Sequence, residues 1–241
     1  MATIVSTLFI SLDGVVEIDP AWHFPYFDEH MGAAVMDDYA GVDALVLGRV
    51  TYDSFAGAWP GREAAGGEDA TFAAQLGDLR KLVATHGKQD LGWRNAEAVP
   101  DLVGAVTALA AEPGVGKILV AGSISVVRQL LAAGVLDELR LLVHPVAARK
   151  GQRLFDEGEP IYPLRLLRSE IFPTGVVRLV YAPASCPGPR GTTTSPSTCR
   201  TRATPETKNA PAPRFRSSGA SSSLSQRVSG KGLEPSRPLG H

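Results

Sequence analysis

The chain has 241 residues, 24 Lys+Arg against 25 Asp+Glu, and 44% hydrophobic and 20% charged residues, which fits a globular protein with a sizeable core. Two cysteines are too few for a disulfide scaffold or a cysteine-based zinc site, and no stretch approaches the ~18–20 apolar residues of a membrane span. The balanced charge excludes a basic nucleic-acid binder, and the first ten residues show no cationic leader, so a cytoplasmic protein is expected.

These averages conceal a division after Ala182. Residues 183–241 hold 11 Ser, 7 Thr and 9 of the 18 Pro, both cysteines (Cys186 and Cys199), and a net charge of +7, leaving −8 on residues 1–182. Such a segment buries too little apolar surface to offset its chain entropy, so it is expected to be a disordered tail. Its charges lie scattered among Pro and Ser without interleaved aromatics, which argues against base stacking and against nucleic acid as a partner.

Residues 1–182 alternate between strand and helix patterns, the mark of an α/β fold with a largely parallel sheet. Ile4–Leu12 is an apolar run of β-formers ended by Asp13-Gly14. Phe27, Met31, Val35 and Tyr39 recur every four residues with acids between them, which predicts an amphipathic helix ended by Gly41. Ala44–Leu47 is a wholly apolar strand, and Thr51–Phe55 opens a helix. The Gly/Ala-rich stretch 57–78 is expected to be loop plus a partial helix. Strands follow at 81–85 and 96–99, then a helix capped by Asp101 and closed by Pro113-Gly114. The strand Ile118–Ala121 precedes a helix bearing Val126, Val127, Leu130 and Leu131, which stops at Gly134. Leu139–Val146 is a long apolar strand, and 164–172 with 176–182 form a hairpin.

Two junctions share one design. Ala44–Leu47 runs into Gly48-Arg49-Val50-Thr51, and Ile118–Ala121 runs into Gly122-Ser123-Ile124-Ser125, each followed by a helix. Glycine permits close approach of a ligand, and the helix start offers free N–H groups and the positive end of the dipole. Parallel strands bring both junctions to one carboxyl edge, where two anion sites suit a diphosphate-containing ligand. Arg49 adds a planar fork suited to phosphate. Thr51 and Ser123 are also ordinary helix N-caps, so the paired arrangement carries the reading, not either residue alone. Thr85 and His86 end a third strand on the same edge. The chain has no G-x-G-x-x-G and no G-x-S-x-G. Its Gly114-Val115-Gly116-Lys117 fails the P-loop pattern, since Ala111 and Ile118 stand where Gly and Ser/Thr are needed. His23, His30, His86 and His144 show no metal spacing, and His144 reads as a core or interface residue.

Ser11-Leu12-Asp13-Gly14, Leu47-Gly48-Arg49-Val50-Thr51-Tyr52, Lys81–Thr85, Val120-Ala121-Gly122-Ser123, Leu136–Leu141, His144-Pro145-Val146 and Arg153-Leu154-Phe155 occur in the order of dihydrofolate-reductase-like proteins. Across residues 3–182 the chain resembles the reductase domain of the riboflavin-pathway deaminase/reductase. The resemblance implies a mixed, mostly parallel sheet with flanking helices and a C-terminal antiparallel hairpin, ahead of the tail. It implies NADPH on the carboxyl edge: Gly48, Arg49 and Thr51 match the phosphate-binding turn, Thr85 the adenosine side, and Gly122, Ser123 and Ser125 the pyrophosphate turn. Hydride transfer to a pterin- or pyrimidine-type ring is the implied reaction, in a homodimer built on strand 139–146 and the final hairpin. Trp22 and Asp28 stand near the family's Trp and proton-donor carboxylate, and Asp28 also suits a helix N-terminus. Asp13 would belong to a loop beside the nicotinamide. The sequence departs from the family at Ala121-Gly122, where two glycines are usual, and at Ala147–Gly151. A non-catalytic dinucleotide-binding or sensing protein on the same fold is the alternative.

Overall fold

The computed structural model describes residues 1–87, 91–155 and 161–184. Residues 185–241 of the expected tail lie outside the described residues. One sheet of eight strands runs through the described fold, in the order β4-β3-β2-β5-β1-β6-β8-β7. The strands are β1 (Thr3–Ser11), β2 (Ala44–Gly48), β3 (Arg80–Ala84), β4 (Ala96–Val99), β5 (Lys117–Val120), β6 (Glu138–His144), β7 (Leu164–Ile171) and β8 (Val177–Pro183). β1 to β6 are mutually parallel, and β8 and β7 add an antiparallel pair. The carboxyl ends Ser11, Gly48, Ala84, Val99, Val120 and His144 therefore share one edge.

Six helices cover the faces: α1 (Pro20–His23), α2 (Glu29–Tyr39), α3 (Arg49–Ala65), α4 (Ala70–Asp78), α5 (Leu102–Ala111) and α6 (Ile124–Ala132). β2 is buried at every residue, as its unbroken apolar run requires. On one face α5 and α6 deliver Leu102, Val106, Val127 and Leu130 onto Ile4, Val46, Ile118 and Leu139. On the other, Tyr39, Tyr52, Leu76 and Trp93 pack on Val5, Leu45, Leu47 and Val83.

The stretch 57–78 holds more helix than expected, and its loop is confined to residues 66–69. α3 continues to Ala65 through Pro60, ends where Gly66 takes φ +72°, and is followed by α4. The Trp59 and Phe72 rings meet edge to face at 5.2 Å, so aromatic burial between the two helices overrides the weak helix propensity of Gly57 and Gly61. Phe27 falls outside α2 because Asp28 caps that helix. β8 continues to Pro183 and the Ala184 N–H reaches the Pro163 carbonyl, so the fold passes the expected boundary at Ala182 by two residues. β6 is paired on both edges and its Leu139 and Leu142 are fully buried; it is core strand, and among the described residues the edge strand on that side is β7.

Asp38, near the end of α2, is completely buried beneath the sheet. Its carboxylate accepts from Thr7 Oγ1 of β1 (3.0 Å), from Arg140 Nη1 of β6 (2.6 Å) and from Arg178 Nη2 of β8. Removing one partner of a buried ion pair strands the other charge. Asp38→Ala should therefore cost about 3–5 kcal/mol, read as a lower urea midpoint, because Arg178 stays buried with only the exposed Asp37 as its acceptor.

Candidate functional site

The two junctions meet. β2 and β5 are neighbours, the Gly48 N–H donates to the Gly122 carbonyl at 2.9 Å, and the Gly122–Ser123 peptide is cis. A Cβ at position 48 would stand 2.1 Å from Ser123 Oγ and 2.8 Å from Ser123 Cβ, so only glycine admits this approach. Gly122 has φ +117°, and a Cβ there would lie 3.1 Å from Thr51 Oγ1. Gly48, Thr51, Gly122 and Ser123 thus form one contiguous patch, with Ser125 attached through a 3.0 Å hydroxyl contact to Ser123.

The helix starts at this patch differ from others in the fold. Asp19, Asp28 and Asp101 cap α1, α2 and α5 with side-chain hydrogen bonds. α3 and α6 begin at Gly48 and Ser123 with no side-chain cap, and so does α4, which follows no strand. Two uncapped helix N-termini with hydroxyls beside them suit an anion, so the residues present fit a phosphorylated ligand. Arg49 flanks the patch with its Nε at 2.9 Å from both Asp53 oxygens and its guanidinium 6.0 Å from the Tyr52 ring centroid. Thr85 lies one strand farther out, just past β3, with its N–H on the Val99 carbonyl.

The remaining candidates belong to the β1/β6 side of the edge. Asp13 accepts from Ser11 Oγ (2.6 Å) and from the N–H groups of Ala148 (2.9 Å) and Arg149 (2.8 Å). These bonds, led by Ser11, hold its pKa down to about 2 and fasten loop 147–151 to the end of β1. Asp28 accepts from Met31 N–H (2.9 Å) and contacts His30 Nδ1 (3.2 Å); the Met31 bond first, then His30, push its pKa down. It is ionised at neutral pH, fit to accept a hydrogen bond rather than to release a proton. Trp22 lies edge to face with His144 at 5.0 Å. His144 is indeed core, and it pairs with His23 across 3.2 Å. The pair escapes sequence reasoning because 121 residues separate its members. The described residues hold no cluster of three metal-ligating side chains. An open groove of about 430 Å³, lined by Asp37, Lys117, Glu138, Arg140 and Arg168, lies at the amino edge instead.

The model of the family described as RibD C-terminal domain matches residues 2–178. The chain belongs to that family. Uncharacterized protein YyaP of Bacillus subtilis (strain 168) is 25% identical over 183 residues, 74% of this chain and 93% of YyaP. A Shewanella sp. PV-4 protein bearing a riboflavin-biosynthesis name superposes with TM-score 0.58 at 16% identity, covering 77% of this chain and 100% of that one. A pyrimidine reductase-like protein of Corynebacterium diphtheriae gives TM-score 0.56 at 17% identity, over 76% and 92%. These likenesses support a reductase-type fold. No helix among the described residues is long and apolar enough to cross a membrane.

Gly48→Ala tests the contact itself. Overpacking of this kind costs about 1–3 kcal/mol. The variant should show a lower denaturation midpoint with an unchanged denaturant slope; an unshifted midpoint would mean that the two junctions can separate freely.

Proposed function

We propose that the chain is an NADPH-dependent reductase of a pterin- or pyrimidine-type small heterocycle. The observation that carries this reading is the meeting of two uncapped helix N-termini at Gly48 and Gly122-Ser123 on the carboxyl edge of a RibD C-terminal fold. Gly48, Arg49 and Thr51 would hold one phosphate, Gly122, Ser123 and Ser125 the pyrophosphate, and Thr85 the adenosine side. Bound there, the nicotinamide supplies the hydride. The chain's own work is orientation: backbone N–H groups fix the phosphates, and Trp22 offers a wall for a flat ring. Asp28, held ionised, accepts from a ring N–H or amino group, and Asp13 shapes the neighbouring loop. Residues 1–182 carry −8, so Arg49 and the two helix ends must provide the local positive field.

NADPH titrated against the purified chain should quench tryptophan emission with sub-millimolar affinity. Thr51→Asp places an acid where a helix start favours one, but sets a carboxylate against the phosphate. Affinity should then fall at least about tenfold with thermal stability retained. No NADPH binding by the parent chain would end the proposal.

The engagement of both Asp13 and Asp28 by backbone N–H groups favours a second reading, a dinucleotide-binding sensor without catalysis. Binding without NADPH oxidation across pterin and pyrimidine substrates would select it.

We also propose a homodimer through β7. This edge strand of the described sheet exposes Leu166, Leu167 and Ile171. Antiparallel pairing with a second copy about the Leu167–Arg168 midpoint sets Arg165 opposite Glu170 twice. Arg165→Glu should yield monomer in analytical ultracentrifugation, and adding Glu170→Arg should restore the dimer.

A further inference from the structure

The segment from α1 through the 3-10 turn Phe24–Tyr26 lies over the carboxyl ends of β1 and β6, and a buried pair of imidazoles fastens it there. His23 is 5% exposed and His144 is fully buried. His144 Nδ1 faces the Leu142 carbonyl at 3.0 Å, which requires a proton on that nitrogen. His144 Nε2 is then an acceptor, and His23 Nδ1 must donate to it across 3.2 Å. With both rings neutral, these two contacts confine each ring to one tautomer.

Their surroundings are aromatic. Phe9 of β1 lies 4.5 Å from the His23 ring and 6.0 Å from the His144 ring, between centroids. Trp22 of α1 lies 5.0 Å from His144, and Phe24 and Phe27 lie 5.3 and 5.6 Å from His23. β1 and β6 otherwise present the Ile10 and Leu142 backbone to His144. From the 3-10 turn comes a titratable neighbour, Tyr26, 5.9 Å from His144. The acids that flank this segment are engaged elsewhere: Asp19 caps α1, and Asp28 at the head of α2 serves Met31 and His30, whose ring faces Phe172. Among the described residues no carboxylate is hydrogen-bonded to, or ion-paired with, either imidazole.

We propose that His23 and His144 form a pH-sensitive latch, which seats residues 20–27 on the carboxyl edge when both rings are neutral and releases them on protonation. A proton on His23 places a cation among Phe9, Trp22, Phe24 and Phe27 with no anion to meet it. A second proton, on His144 Nε2, removes the acceptor that holds His23. Release exposes both imidazoles to water, where they take up protons at ordinary pH. Burial, reinforced by His144, pulls the His23 pKa down to about 4, and burial pulls His144 down as well. The released segment therefore binds more protons than the seated one. The latch is complete above about pH 6.5 and weakens as pH falls toward 4. The His23 shift alone raises the opening equilibrium about tenfold between about pH 7.5 and 5.5. The device does not depend on which ligand the edge accepts.

Amide hydrogen exchange of the full chain, corrected for intrinsic pH effects, reads this equilibrium directly. Peptides covering 20–27 should lose protection about tenfold or more between about pH 7.5 and 5.5, while β5 peptides stay protected. His23→Asn keeps an N–H near the Nδ1 position without a titrating ring, and should flatten the response. A flat parent profile, parallel loss over β5, or an unaltered response in the variant would each overturn the latch. Should the variant fail to fold, histidine NMR of the parent chain decides. Two Nδ1–H tautomers titrating more than about one unit below the usual imidazole value support the latch, and ordinary titration refutes it.

Discussion

The carboxyl edge depends on a side chain that is missing at position 48. β2 and β5 are adjacent, so their strand-to-helix junctions emerge within about 5 Å of each other, and any Cβ on Gly48 would collide with Ser123. Once the junctions close, the positive ends of α3 and α6 sit side by side. Each carries roughly half an elementary charge, and like charges at this separation repel. Neither helix has a side-chain oxygen to quench its end, whereas α1, α2 and α5 each have an aspartate doing so. The repulsion is a standing demand for an anion.

A second constraint fixes what lies beside that patch. α2 has 11 residues, about 16 Å, and is held at three levels. Asp38 ties its last turn to β1, β6 and β8; Met31 and Ala34 pack its middle on Leu142, Phe172 and Val176; Asp28 closes its first turn. The ion cluster thus sets the tilt of a helix whose other end reaches the carboxyl edge. A carboxylate placed that firmly can orient a partner, and its backbone bonds keep it charged while it does so.

The strands and their largely parallel arrangement are legible because the signals are local: apolar runs of four to nine residues, most of them punctuated by glycine or aspartate. The Asp101 cap and the helix after Gly122 were legible for the same reason. The errors arose where distant contacts outweigh composition. Gly57 and Gly61 suggest loop, yet Trp59 and Phe72 supply the burial that keeps α3 and α4 helical. The strand containing His144 reads as core or interface from its apolar run alone, and its pairing with both β1 and β8 is a distant contact that no local pattern announces. In the site, the two glycine turns could be named from the sequence because each is a short motif. Their contact could not, since Gly48 and Ser123 are 75 residues apart. The occupation of Asp13 by Ala148 and Arg149 was equally hidden, because nothing near Asp13 announces the partner loop.

The edge is chemically polarised along its length. The β2/β5 half offers N–H groups and hydroxyls at two helix starts. The β1/β6 half offers aromatic rings around neutral imidazoles and an ionised Asp28. The two halves adjoin at β5 and β1, and their centres are two strand spacings apart, roughly 10 Å of sheet. A ligand with a charged phosphate portion and a flat polar ring meets complementary surface in only one orientation, because reversal would put the anion beside a carboxylate and the ring against bare peptide dipoles. Net charge reinforces this choice. Residues 1–182 are acidic, so an anion is disfavoured almost everywhere on them except where helix dipoles and Arg49 converge. Orientation therefore follows from the placement of two glycines and one acid, before any side chain is asked to recognise the ligand's identity.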